Sequence, residues 1–347
     1  MKINKSIEIV SSNHKYLSSM SASSREAIYQ VLSREYEGVR ITLIDEIADL
    51  EALRLRKPDL VFLGMKYLPV SLAPTDNTEK IWLAEYLAEY DIACSGSPSL
   101  AHQRERSKPI GKRYVAQAGL MTAEAVVISK LQTLRQADIT LPFPVFAKPA
   151  HLGGGEGIDS RSIAYDYAQL QQKVAEIQLL GDDTLIETYL TGREYSVGIM
   201  RKNDEHDYDV MPIELVAEAD ASGLRILSQA VKSANSERVY SVPAGGLRRS
   251  IEHLALAAFS ALGGKDYGRI DIRLDYHDTP HFLEANLIPS LIRNYGSFPK
   301  CCELIQGIDY DAMIRRITDL ALSPTEQLLE AGSMSHIQLS TPRAITA

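Results

Sequence analysis

Short apolar runs alternate with amphipathic stretches through the first hundred residues of this chain, and that alternation constrains the fold more than any other feature. Ile7 to Val10, Val39 to Ile44 and Leu60 to Leu63 read as strands, while Arg25 to Leu32 and Lys80 to Tyr90 carry helical spacing. Strands interleaved with helices bury both faces of a sheet, so the pattern predicts a small, mostly parallel α/β unit. Asp76-Asn77-Thr78-Glu79 supplies caps and early acids for a helix start, and Ser95-Gly96-Ser97-Pro98 closes the unit as a turn-rich link, placing a boundary near residue 103.

A chain of 347 residues holds two or three such units. Beyond the first, a helix from Pro109 to Ala118 stops at Gly119, Ala125 to Ile128 is a strand, and Val145 to Lys148 is a compact strand running into a glycine-rich loop. Leu170 to Leu180 is helical, Thr184 to Tyr189 and Glu194 to Met200 are strands joined at Thr191-Gly192, and strands recur at Ile213 to Val216, Ile270 to Leu274 and His281 to Glu284, with a helix at Ile251 to Leu262. With 37 Lys+Arg against 45 Asp+Glu and no basic block, nucleic acid is disfavoured as a partner. Three unspaced cysteines, Cys94, Cys301 and Cys302, give no disulfide framework, and neither an apolar span nor a leader pattern is seen, so a cytoplasmic protein is expected, with no membrane partner.

Two segments invite chemistry. Gly153, Gly154, Gly155 and Gly157 follow a strand that carries Lys148; glycines let backbone N–H groups approach an anion and lysine supplies charge, although alone the run is equally a hairpin loop. It is neither a Walker loop nor the dinucleotide spacing, since Ile158 occupies the place of the last glycine. Further on, Gly268-Arg269-Ile270-Asp271 and Phe282-Leu283-Glu284-Ala285-Asn286 set Asp271 and Glu284 on neighbouring strands of a hairpin. Two carboxylates and an amide oxygen suit Mg2+ that also binds phosphates; a solvated hairpin is the bland alternative. The histidines lack zinc spacing.

Taken in order, Ser107-Lys108, Phe143 to Pro149 with the glycine loop, Leu185 to Glu194, Gly268 to Asp271 and Phe282 to Asn286 resemble the ATP-grasp superfamily, and within it the D-alanine–D-alanine ligase-like group. The resemblance covers about residues 92 to 300. It implies a three-domain α/β architecture: an N-terminal unit over 1–103, a central unit over 104–195 and a C-terminal unit with its tail over 196–347. It further implies that Lys108 and Lys148 contact ATP phosphates under the loop, that Glu187 with Thr188 and Leu190 meets adenine beside Leu283, and that Glu194 holds the ribose. Lys232 corresponds to the lysine of the loop that closes the family's site, with Pro243 downstream; Asp271, Glu284 and Asn286 fall on the ligands of two Mg2+ ions, for which Mn2+ can substitute; and Arg269 is expected to stabilise charge on the tetrahedral intermediate. The implied reaction is amide formation through an acyl phosphate between small-molecule acid and amino-acid substrates, in a homodimer.

The departures from the group's pattern fall on the substrate side. Ser11 to Met20 lacks the glutamate that anchors the first amino acid, Leu63-Gly64-Met65-Lys66 replaces a His-Gly loop, Ser233 replaces a tyrosine after the loop lysine, and Pro289-Ser290-Leu291 replaces Pro-Gly-Met. A ligase with a different substrate is therefore expected, of the kind that joins an amino acid to a small metabolite in mycosporine-type pathways, with Lys15, Lys66, Arg293 and Tyr295 as polar contacts. A D-alanine–D-alanine ligase and a non-catalytic nucleotide-binding protein are the competing readings.

Overall fold

The computed structural model describes residues 1–14, 16–71, 78–202, 207–219, 223–234 and 236–323. Lys15, the segment Asp76-Asn77 and the tail beyond Ser323 lie outside them. The first unit runs β1 (Ile3–Ser11), α1 (Ala22–Glu35), β2 (Tyr36–Leu43), α2 (Ile47–Arg56), β3 (Leu60–Leu63), β4 (Tyr67–Pro69), β5 (Lys80–Trp82), α3 (Leu83–Glu89), β6 (Ala93–Cys94) and α4 (Ser99–Glu105). Its main sheet has the order β2-β1-β3-β6 and every pair in it is parallel. That is the expected α/β unit, and β3 is buried along its whole length, as a strand covered on both faces must be.

One expectation in this unit needs correction. Lys80 to Trp82 is not the first turn of a helix: it pairs antiparallel with β4, setting Tyr67 opposite Trp82 with ring centroids 5.2 Å apart, and the helix starts only at Leu83. The aromatic cross-strand pair outweighs the helical spacing. The turn-rich link at Ser95 to Pro98 is followed by α4, and residue 103 lies within that helix.

The second unit comprises α5 (Lys108–Gln117), β7 (Ala125–Ile128), β8 (Val145–Pro149), β9 (Ile163–Ala164), α6 (Tyr167–Leu179) and β10 (Thr184–Thr188), with an antiparallel sheet β7-β10-β8-β9. Asp166 caps α6 by accepting from Gln169 N–H, and Leu170, Val174 and Ile177 repeat at helical spacing to pack on Val145, Ala147 and Ile186. Alternation along the strands sends Phe146, Lys148 and Glu187 to the opposite face.

The third unit contains β11 (Glu194–Arg201), β12 (Tyr208–Val216), α7 (Gln229–Ala234), β13 (Arg238–Ser241), α8 (Gly246–Leu262), β14 (Tyr267–Leu274), β15 (Pro280–Asn286), α9 (Ser297–Gln306) and α10 (Tyr310–Leu322). Its five strands are antiparallel in the order β13-β12-β11-β14-β15. One face buries Val197, Ile199, Ile270 and Ile272 under Ile251, Ala255, Ala258 and Phe259 of α8. The other face is shared between α9 and the candidate site. At Gly198 a Cβ would stand 2.8 Å from Cys301 Cβ, so α9 reaches the strand only because that residue is glycine. The α10 residues Met313, Ile314 and Ile317 join Ile28, Val31 and Leu32 of α1 in one core, tying the third unit to the first. Phe282 N–H donates to Met121 O at 2.9 Å, tying it to the second.

Candidate nucleotide site

Strand alternation builds this site. Along β14, Ile270, Ile272 and Leu274 are fully buried toward α8, so Arg269, Asp271 and Arg273 share the other face. On β11 the partners of these three are Gly198, Ser196 and Glu194. On β15, Glu284 lies opposite Asp271 and Asn286 opposite Arg269, but the register slips between Asp271 and Ile272, so that Ile272 pairs with Phe282. Leu283 is the extra residue of a β-bulge. Strict alternation would send Leu283 and Glu284 to opposite faces; the bulge lets both line the same cavity.

That cavity opens between the second and third sheets, with about 670 Å³ of empty space that includes open solvent. Phe146, Lys148, Glu187, Thr188, Tyr189 and Leu190 line it from one side, and Glu194, Asp271, Arg273, Leu283 and Glu284 from the other. Lys108, at the start of α5, enters from the edge, and Ile226, Leu227 and Lys232 close it from above. The glycine loop folds through positive φ at Gly154 (66°), Gly155 (80°) and Gly157 (72°), the left-handed region that suits glycine. A Cβ on Gly155 would stand 2.8 Å from Gln229 N, so the loop and the closing segment meet backbone to backbone.

The electrostatics concentrate cations around two carboxylates. Glu187 is buried with Lys112 Nζ 2.5 Å from Oε1 and Lys148 Nζ 2.5 Å from Oε2. Burial pushes its carboxyl up, but the two lysines prevail and hold it below the ordinary value. Lys108 Nζ donates to Leu152 O at 2.6 Å and stands 3.6 Å from Glu284 Oε2; burial lowers its pKa against the pull of Glu284. For Glu284, burial is likewise outweighed by Lys108, Lys232, Lys148 and Arg269, which bring its pKa down to about 2. Around Glu187 and Glu284 the four ammonium groups of Lys108, Lys112, Lys148 and Lys232 outnumber the two carboxylates, and this part of the cavity suits a polyanion.

Arg269 and Asn286 sit beyond the cavity lining. Arg269 grips Asp271 with two hydrogen bonds, Nε to Oδ1 at 3.0 Å and Nη2 to Oδ2 at 2.8 Å, and Ser196 Oγ also donates to Oδ1 at 2.8 Å. Asn286 Nδ2 is buried without a partner. Among the described residues no set of three acidic, His or Cys side chains could cage a metal unaided. Asp271, Glu284 and the Asn286 amide oxygen are hard-oxygen donors, so the set fits Mg2+ whose remaining ligands come from a bound phosphate, while the unpartnered Nδ2 is an N–H donor suited to an anionic oxygen.

The expected substrate contacts fare differently. Arg293 Nη2 donates to Asp311 Oδ1 at 2.6 Å and its guanidinium lies 4.2 Å from the Tyr310 ring centroid, so it belongs to the α10 interface and not to the cavity. Lys66 Nζ lies 2.7 Å from the buried Glu105 Oε1, whose carboxyl is pushed up by burial but held below the ordinary value by Lys66 and His102. Tyr295 donates its hydroxyl to the carbonyl of Lys232 on the closing segment. In place of the family's glutamate, Ser11 Oγ and Ser18 Oγ share a 2.6 Å hydrogen bond, and Asp45 is engaged by Ser12 Oγ and Asn13. Lys112 and Arg273 carry no signal in the sequence beyond their spacing: Lys112 follows Lys108 by one helical turn, and Arg273 follows Asp271 by one pleat.

A cavity gripped between two sheets, with Lys148 and Glu187 on one and Glu194, Asp271, Arg273 and Glu284 on the other, is the ATP-grasp arrangement. The superposition agrees: a D-alanine–D-alanine ligase from Bacillus anthracis complexed with ATP matches with a TM-score of 0.72 at 20% identity, over 96% of this chain and 100% of that one. The VanG D-Ala:D-Ser ligase from Enterococcus faecalis matches with a TM-score of 0.65 at 15% identity, over 92% and 100%. The family model for the D-ala D-ala ligase C-terminus matches residues 114–319, and the chain belongs to that ligase family as a divergent member. A D-alanine–D-alanine ligase from Acinetobacter baylyi is 27% identical over 197 residues, 56% of this chain and 60% of that protein. The first curated relatives are matched over about 60–66% of their own length. No helix among the described residues is long and apolar enough to cross a membrane.

Proposed function

We propose that the protein is an ATP-dependent carboxylate–amine ligase that forms an amide bond through an acyl phosphate. The observation that carries this reading is the convergence of Lys108, Lys148 and Lys232 with Asp271 and Glu284 on one cavity between two sheets. In it, Lys108 and Lys148 bind the ATP phosphates beneath the glycine loop. Glu187 and the backbone of Thr188 and Leu190 face adenine, Leu283 packs on the base, and Glu194 receives the ribose. Asp271, Glu284 and Asn286 would hold Mg2+, which, when bound, offsets charge on the transferring phosphoryl group.

A carboxylate oxygen of the acid attacks the γ-phosphorus and the bond to the ADP oxygen breaks, giving acyl phosphate. The amine nitrogen then attacks the acyl carbon, the tetrahedral intermediate expels inorganic phosphate, and the nitrogen loses a proton. Arg269, already fixed by Asp271, offers a guanidinium to the developing oxyanion with little reorganisation. Lys232 and the segment around Leu227 shut water away from the acyl phosphate, which would otherwise hydrolyse.

The serine-rich segment in place of the ammonium-binding glutamate supports an acid other than D-alanine. The relatives support the ligase class and carry no support for a mycosporine-type pathway; the second reading, a D-alanine–D-alanine ligase, rests on the names of those relatives. Phosphate release from ATP and Mg2+ across single and paired D- and L-amino acids and small carboxylates, beside a Glu284→Ala control, separates them. Release with an unrelated acid and amine pair is expected; release with D-alanine alone would favour the second reading.

A further inference from the structure

The cavity holds one charged side chain to which no role falls in the reading above. Arg273 extends from β14 on the same face as Asp271, is paired in register with Glu194, and donates from Nη1 to Glu194 Oε2 at 3.0 Å. Its side chain is 13% exposed and lines the cavity. The guanidinium also lies 5.7 Å from the Tyr189 ring centroid, and its Nε is buried without a hydrogen-bond partner.

Glu194 by itself would present two acceptor oxygens and a full negative charge beside a polyanionic nucleotide. Arg273 cancels that charge and occupies one oxygen. What remains is an acceptor, Oε1, next to guanidinium N–H groups held in a fixed fork. A donor and an acceptor side by side match a vicinal diol, whose hydroxyls each donate and accept. Neither half of the pair is free to turn: Glu194 opens β11, Arg273 is pinned between it and Tyr189, and both belong to a five-stranded sheet packed on α8.

We propose that Arg273 is a specificity-determining residue that, with Glu194, reads the sugar hydroxyls and makes this cavity select a ribonucleotide over a deoxyribonucleotide. The proposal rests on the nucleotide reading of the cavity. A hydrogen bond to a charged group contributes about ten- to a hundredfold in affinity, so the wild type binds ATP at least about tenfold more tightly than 2′-deoxy-ATP or 3′-deoxy-ATP.

The test is calorimetric titration of the full chain with ATP, 2′-deoxy-ATP and 3′-deoxy-ATP, for wild type, Arg273→Met and Arg273→Lys, with a thermal melt of each. Arg273→Met uncovers the Glu194 charge and should weaken all three nucleotides, but ATP most, so that most of its advantage over at least one deoxynucleotide is lost. Arg273→Lys, which keeps the charge but not the fork, should fall between the two. Equal weakening for all three nucleotides, or an undiminished preference for ATP, would overturn the proposal. A folded wild type that binds no ATP would instead overturn the nucleotide reading, and the proposal with it.

Discussion

Replacing Lys112 by methionine tests how the cavity floor is held. Lys112 is buried, 2.5 Å from Glu187 Oε1, and donates to Thr122 Oγ1 at 2.8 Å and Phe282 O at 3.2 Å. Breaking a buried ion pair by removing one partner costs about 3–5 kcal/mol, because the other charge is left uncompensated. Here Glu187 keeps Lys148 on Oε2, which sets the loss at the lower end. The neighbours add little, since Thr122 Oγ1 still donates to Phe282 O at 3.0 Å. A loss of about 3 kcal/mol, at about 2–4 °C per kcal/mol for a cooperative unit of roughly 200 residues, lowers the melting temperature by about 6–12 °C. Differential scanning calorimetry reads this directly. A melting temperature within about 2 °C of wild type would refute the claim that Lys112 anchors Glu187.

Two further perturbations follow from the same geometry. Lys66→Met leaves Glu105 buried with only His102 beside it; because the Glu105 carboxyl is held below its ordinary value, the pair's stabilisation is full above about pH 4.5 and is lost as pH falls through the folded value. The gap in melting temperature between wild type and variant should therefore be largest near neutrality and close on acidification; a pH-independent gap would contradict the pairing. Gly155→Ala places a Cβ 2.8 Å from Gln229 N at a φ of 80°, so the glycine loop and closing segment cannot meet, and ATP affinity measured by titration should fall by about tenfold or more with little change in melting temperature. Unchanged affinity would show that closure does not need this contact.

Much of the strand order was legible in the sequence because alternation and composition agree there: β3 and β7 have the expected bounds, and in the site itself the hairpin of β14 and β15 sets Asp271 opposite Glu284. The bulge at Leu283 was not, since one extra residue changes which faces are shared without changing the pattern around it. Lys80 to Trp82 was misread because a short strand inside an apolar, aromatic run has the same local spacing as a helix start. Arg293 and Lys112 show the limit of reading charges one at a time. The first is taken by Asp311 from a helix that lies later in the chain, and the second gains meaning only when Glu187 and Phe282 are brought to it by two different sheets.

The acyl phosphate is the centre of this account, and oxygen tracing tests it most directly. Once the acid substrate is found, it is supplied with 18O in its carboxylate, together with ATP, Mg2+ and the amine, and the released phosphate is analysed by mass spectrometry. The account predicts one 18O per phosphate, because the attacking carboxylate oxygen stays on phosphorus when the amide forms. Unlabelled phosphate, with amide still formed, would show that the carboxylate is activated some other way and would contradict the mechanism.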